Sequence, residues 1–338
     1  MQNLLDPAIL FFVFGVLAGL LKSNLEIPPA ISRFLSLYLL MALGLKGGFA
    51  LARSGLNAEV ATTLGCAVAL AVIVPLLGYQ IMRRFLSGYD AAAIAATYGS
   101  VSAVTFITTL QYLESRGLPY GGHMAAAMAL MESPAIILAV LLANRLRQRT
   151  AVALTGVVQA GAGVLALGGA PAPNPVSLGQ LLHEAFTDGA QLLLLGAMLV
   201  GVLTGAEGEA MMAPFSVDLF KGMLAFFLLD MGLTAARQLA QLGRPSPLLL
   251  LYAVAGPLLH ASLALGLALA FGIEPGSGAL LMVLAASASY IAVPAALRYA
   301  IPEARPALYL GLSLGVTFPF NLLLGIPLYV TLAWRLLA

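Results

Sequence analysis

Tyr98-Gly99-Ser100-Val101-Ser102-Ala103 and Ala285-Ala286-Ser287-Ala288-Ser289-Tyr290 differ from their surroundings in one respect: the bulky aliphatic side chains vanish. Both stretches lie inside long apolar runs, and Pro294 follows the second. Small hydroxyl residues and a proline at membrane depth let a helix break, and the backbone groups freed by the break must find partners within the protein. Two breaks facing one another near the midplane make a polar site in an apolar body. Half-helix N-termini offer partial positive charge to an anion there, while freed carbonyls and hydroxyls offer oxygen to a cation. One such stretch alone also suits close helix packing. Two at matching positions point to a site.

The rest of the chain supports the membrane setting. Of 338 residues, 61% are hydrophobic and only 9% charged. A soluble domain carries roughly 25% charged residues, so this chain lacks the charge to cover a water-facing surface. The net charge of +2 and the absence of a basic tract speak against nucleic acid as a partner. The single cysteine, Cys66, lies in an apolar run and reads as a small buried hydrophobe, leaving no disulfide and no thiolate metal site. No cleavable signal stands out; Pro7 to Leu21 reads as a retained first span.

A membrane helix needs roughly 20 mainly apolar residues. On that ruler the first half holds spans at about 7–22, 31–51, 58–82, 89–113 and 122–144, and the second at about 186–204, 214–240, 246–272, 276–300 and 306–336. The expected fold is therefore an all-α membrane protein of ten transmembrane helices. Residues 1–146 form a first five-helix repeat, 147–177 a cytoplasmic linker, and 178–338 a second repeat. Ala151 to Leu167, short and rich in Gly and Ala, reads as part of the linker, as a small hairpin rather than an eleventh span. With the N-terminus outside, Lys22, Arg33, Arg83, Arg84, Arg145, Arg147, Arg149, Arg237, Arg244, Arg298 and Arg305 fall on the inner side, against Arg53, Arg116 and Arg335 outside. This positive-inside bias places both termini in the periplasm of a bacterial inner-membrane protein.

Five spans per half is an odd number, so two similar halves must insert with opposite orientation. Three pairs of segments recur in order: Gly44 and Gly232 at Leu-Gly-Leu-Lys and Met-Gly-Leu-Thr, Ser100 and Ser287 at Ser-Val-Ser and Ser-Ala-Ser, and Pro134 and Pro319 at Glu-Ser-Pro and Thr-Phe-Pro. Inverted repeats with broken, crossing helices are a common plan for secondary transporters. Glu132, mid-span before Pro134, is a functional candidate because a carboxylate is costly there. It either ligates sodium, carries a proton or hydrogen-bonds backbone freed by Pro134. Lys46 and Asp230 read as snorkelling or pairing groups. Asn321 reads either as a substrate donor or as a cap on the kink at Pro319. No P-loop and no nucleophile–base motif point to ATP use or to an enzyme.

These residues also carry a family resemblance. Gly99-Ser100-Val101-Ser102-Ala103-Val104-Thr105, Tyr112-Leu113-Glu114-Ser115, Glu132-Ser133-Pro134-Ala135, Ala285-Ala286-Ser287-Ala288-Ser289 and Leu297-Arg298-Tyr299-Ala300-Ile301-Pro302 resemble segments of the cyanobacterial sodium-dependent bicarbonate transporter family. The resemblance implies a fold like that of the sodium/proton antiporters and bile-acid symporters, a homotrimer, and sodium-coupled bicarbonate uptake. It implies an anion site at Gly99, Ser100, Ser102, Ala103, Ser287, Ala288, Ser289 and Tyr290. It also implies a sodium site at Ser102, Thr105, Glu132 and Ser289, with sodium as coupling ion and no other cofactor. Two positions depart from the relatives: Tyr290 stands where they have aspartate, and Ala292 where they have serine. Their longer, charged linker is regulated by a partner resembling the PII signalling proteins. Here Arg145, Arg147 and Arg149 are the linker's main charges, which do not support such regulation. Alternatives are another small organic anion, sodium/proton exchange, or a non-transporting solute sensor.

Overall fold

The computed structural model describes residues 6–55, 57–159, 189–243 and 245–338, which form helices and connecting turns without a strand. The helices are α1 (Pro7–Leu20), α2 (Pro29–Ser54), α3 (Ala58–Met82), α4 (Gly88–Gly99), α5 (Ala103–Glu114) and α6 (Met124–Gln159) in the first part of the chain. The second part holds α7 (Gly189–Ala213), α8 (Phe220–Leu242), α9 (Pro247–Phe271), α10 (Pro275–Ala286), α11 (Ala292–Ala300) and α12 (Pro306–Leu336). Their starts follow local chemistry. Asp6, Asn57, Ser87, Ser102 and Ser246 each accept a backbone N–H of the first turn they precede, and prolines stand at the first positions of α1, α2, α9 and α10, where a missing N–H costs nothing. Two π-helical turns, Ser313–Thr317 and Asn321–Gly325, interrupt α12 around Pro319.

Seven stretches among the described residues are long and apolar enough to cross a membrane, one of them the 54-residue run Gly189–Leu242. Straight, that run would measure about 80 Å, against about 30 Å of hydrocarbon. It reverses direction instead. Gly205 takes a left-handed φ of 54°, and a π-helical turn at Pro214–Asp218 follows. The packing records the reversal: Gly44 meets Leu194, Gly48 meets Gly201 and Arg53 meets Glu209, so α7 runs parallel to α2. Ser32 meets Asp230 and Lys46 meets Phe220, so α8 runs antiparallel to it. In the same way Phe12 meets Gly232 and Gly19 meets Ala236, which makes α1 and α8 parallel.

These four helices form one set. Within it the backbones touch. A Cβ on Gly15 would overlap the Leu229 carbonyl, one on Gly232 the Phe12 carbonyl, and one on Gly48 the Met198 carbonyl. Small residues at such contacts let helices associate where lipid supplies no hydrophobic drive. A second set is built from α3, α4, α6, α9 and α10, with α10 also lying against α12; the two sets meet along α8 and α12 and along α2 with α5 and α6.

One expectation changes. The linker was expected from residue 147, but α6 continues helical to Gln159. The arginine cluster that read as a loop sits on a helix: Arg147 pairs with Glu303 at 2.7 Å and donates to the Ala300 carbonyl at 3.0 Å, which anchors that turn to the end of α11. The remainder of the linker, the end of the Ala151–Leu167 hairpin and the start of the second repeat lie outside the described residues, as do residues 1–5.

Candidate functional site

Both stretches that opened the sequence reading are breaks. α4 ends at Gly99 and α5 begins at Ala103; α10 ends at Ala286 and α11 begins at Ala292. The two breaks bond to each other. The Ser102 N–H donates to Ser287 Oγ at 2.9 Å, and the Ser289 N–H donates to the Thr97 carbonyl at the end of α4 at 2.8 Å. Buried backbone groups must be paired, and two freed carbonyls at the end of α10 find side-chain partners. Ser287 Oγ donates to the Leu284 carbonyl at 2.9 Å. Asn321, which sits in the second π-helical turn of α12, donates to the Ala286 carbonyl at 2.8 Å and accepts from the Tyr329 hydroxyl at 3.1 Å. Asn321 therefore caps the broken end of α10 rather than the kink at Pro319.

The half-helix N-termini are held differently. Ser102 Oγ accepts the Thr105 N–H at 3.2 Å and the Thr105 hydroxyl at 3.0 Å, a complete N-cap on α5. On α11 the residue before the helix is Ile291, which offers no side-chain cap. Ser289 Oγ accepts the Val293 N–H at 3.3 Å, and Pro294 has no N–H to present.

A cavity of about 60 Å³ opens where these two N-termini approach. Ser102, Ala103, Glu132, Ser289 and Tyr290 line it, together with Ser36, Met128, Gln191 and Ile291. Room for a single water needs about 10–15 Å³ on this measure, so the space suits a few waters or one small ion. Two positive helix ends and one carboxylate share it, with hydroxyl oxygens between them. Glu132 is half-buried within α6. Tyr290 is buried and packs its ring on Phe318 at 5.2 Å between centroids.

The other sequence candidates stand behind this wall. Thr105 and Ser287 contact Ser102 from the protein side. Gly99 lies tight against the Pro75 ring. Ser100 is buried, and its hydroxyl meets no hydrogen-bond partner among the described residues. Ala288 is buried within the second break. Ser36 and Gln191 were missed by the sequence reading. Gln191 donates to the Ala129 carbonyl at 2.7 Å, one turn before Glu132; a polar amide near the start of an apolar span was the only signal it gave. Lys46 and Asp230 are paired, with Glu114 and Ser32 respectively. Among the described residues no cluster of three or more His, Cys, Asp or Glu could hold a metal ion. Oxygen donors from hydroxyls, carbonyls and a single carboxylate suit a hard cation.

Among models of known families, the one described as the Na+-dependent bicarbonate transporter superfamily matches residues 7–334. No curated protein matches the chain.

Proposed function

The chain belongs to the Na+-dependent bicarbonate transporter superfamily, and from that premise we propose that this multi-pass membrane transporter takes up bicarbonate together with sodium by alternating access. The observation that carries the proposal is the cavity at which the N-termini of α5 and α11 converge beside Glu132. Bicarbonate sits between Ser102–Ala103 and Ser289–Ala292, where two helix dipoles favour negative charge. Sodium takes oxygens from Ser102, Ser289 and Glu132, with Thr105 as the hydroxyl behind Ser102. Movement of the α3/α4/α6/α9/α10 set against the glycine-packed set changes which side the cavity faces.

The proposed architecture is ten spans in two inverted repeats. Its support lies in how the helices exchange partners: α1 packs on α8 as α2 packs on α7, and Gly232 and Gly44, matched in the repeat, each press on the other half's first helix. A homotrimer with periplasmic termini in a bacterial inner membrane completes the reading. Regulation through a PII-like partner is not part of it.

The test is uptake of radiolabelled bicarbonate into proteoliposomes at fixed pH, with and without an inward sodium gradient. Uptake that rises several-fold with the gradient is the expected result. Equal uptake in both conditions removes sodium coupling, and no uptake by correctly inserted protein removes bicarbonate. Tyr290, on the cavity wall where the resembling relatives have aspartate, favours a second reading: the same site carrying another small organic anion, or sodium exchanged for protons. Competition of uptake by small carboxylates separates these.

A further inference from the structure

A second, larger cavity of about 270 Å³ lies along the same seam as the crossover cavity. Four helices, α2, α5, α6 and α7, line both. On α2, Leu40 faces the crossover cavity and Leu43 and Lys46 the larger one; on α5, Val104 faces the first and Phe106 and Glu114 the second. On α6, which runs the other way, Met128 faces the first and Met124 the second. These steps are two to four residues, or roughly 3–6 Å along the helix axes. The layer between the cavities is apolar and closed: Leu43, Phe106, Met124 and Met128 are all at most 2% exposed.

Above this layer stands a charged bridge. Lys46 Nζ lies 3.0 and 3.2 Å from the two Glu114 oxygens and 4.4 Å from the centre of the Phe220 ring. The Tyr120 hydroxyl donates to Glu114 at 2.7 Å. Burial and the neighbouring Glu114 carboxylate push the Tyr120 phenol well above its ordinary value, which keeps it a donor. The bridge ties α2, in the glycine-packed set, to α5, in the broken helix pair. Arg53–Glu209, on the rim of the same cavity, joins α2 to α7 within one set, and Arg147–Glu303 and Arg305–Asp90 tie α6 and α4 of the other set to the turn between α11 and α12.

We infer that the larger cavity is the outer vestibule of the transport path, that Leu43, Phe106, Met124 and Met128 are the plug between it and the crossover cavity, and that Lys46–Glu114 is the latch that holds the plug shut. A small anion arriving from the Tyr120 face passes only when α2 and α5 part. That separation frees Lys46 to receive it. The inference rests on the crossover cavity being the transport site.

The experiment reads access instead of flux. In a Cys66→Ala background, the thiol introduced by Ala103→Cys sits in the crossover cavity and that introduced by Val217→Cys in the vestibule. A membrane-impermeant, charged methanethiosulfonate is applied from the Tyr120 face. The Val217→Cys protein is expected to react quickly, and the Ala103→Cys protein at least tenfold more slowly. Adding Phe106→Ala to Ala103→Cys should raise its rate about tenfold, and adding Glu114→Gln several-fold. Glu209→Gln, on the rim, should leave the rate unchanged. Unchanged Val217→Cys labelling in each background shows that the fold is kept. Rates at Ala103→Cys that ignore both Phe106→Ala and Glu114→Gln overturn the gate, as does failure of Val217→Cys to react from this face. Absent bicarbonate uptake alongside the expected labelling would instead unseat the substrate reading.

Discussion

The two crossovers carry nearly the same sequence, Ser-Val-Ser and Ser-Ala-Ser, yet they are stabilised in different ways. The first is capped mainly from within: Ser102 Oγ takes the N–H and the hydroxyl of Thr105, the Ser102 N–H reaches across to Ser287, and the Ser100 hydroxyl meets no hydrogen-bond partner among the described residues. The second depends on the rest of the molecule. Asn321 holds the end of α10, Thr97 receives the Ser289 N–H, and Arg147 holds the far end of α11 at the Ala300 carbonyl. Ser287 serves both breaks, bonding Leu284 on its own side and Ser102 across the crossing. A self-capped half-helix keeps its shape when its neighbours move. A half-helix held by distant side chains changes with them. The second crossover is thus the one through which motion elsewhere can reach the cavity.

Breaking the first crossover should have the largest effect. Ser102→Leu removes the cap and fills the cavity, and uptake should fall at least a hundredfold while membrane insertion, followed by surface labelling, stays normal. Normal uptake by this variant would sink the site assignment. Tyr290→Asp sharpens the second crossover toward the resembling relatives. The sodium concentration for half-maximal uptake should drop about tenfold, equivalent to roughly 1.4 kcal/mol, as measured by uptake against sodium.

The next test compares the paired serines directly. Ser287→Ala leaves the buried Ser102 N–H without its acceptor and should destabilise by about 1–3 kcal/mol, whereas Ser100→Ala removes a hydroxyl with no hydrogen-bond partner among the described residues and should stay within about 0.5 kcal/mol. Thermal unfolding of the two variants in one detergent decides it, and equal shifts would contradict the asymmetry. Asn321→Leu, which frees the Ala286 carbonyl, should resemble Ser287→Ala in size.

The smallest effect concerns the anchor of α11. The hydrogen-bonded Arg147 guanidinium holds the Glu303 carboxyl below its ordinary value of 4.5. A depressed carboxylate stabilises the fold above its unfolded value and loses that contribution as pH falls through the folded one. With Glu303 partly exposed, the pair is worth about 1 kcal/mol or less. Glu303→Gln should therefore lower the unfolding midpoint slightly at pH 7 and leave it unchanged near pH 3.

Much of this was legible in the residue order. The small-residue breaks and the long apolar helices are compositional signals, and they survive into the structure because lipid allows few other solutions. The asymmetry between Ser100 and Ser287 was not legible. Identical side chains in like contexts differ in what folding brings near them: Ser287 meets the Leu284 carbonyl and the Ser102 N–H across the crossing. Gln191 and Ser36 stayed hidden for the same reason, since each reaches the cavity from a helix far away in sequence. The arginine cluster within α6 misled because charge at a membrane edge suggests a loop, whereas Arg147 stands on the helix and pairs with Glu303 in the turn after α11.

The glycine contacts between α1 and α8 and between α2 and α7 have a mechanical consequence. Where backbone touches backbone, no side chain lies between the helices to change rotamer, so the joint has no slack. The four helices therefore act as a stiff beam. A bilayer that thickens or thins tilts that beam as one piece, and whatever rides along it is displaced by the same tilt.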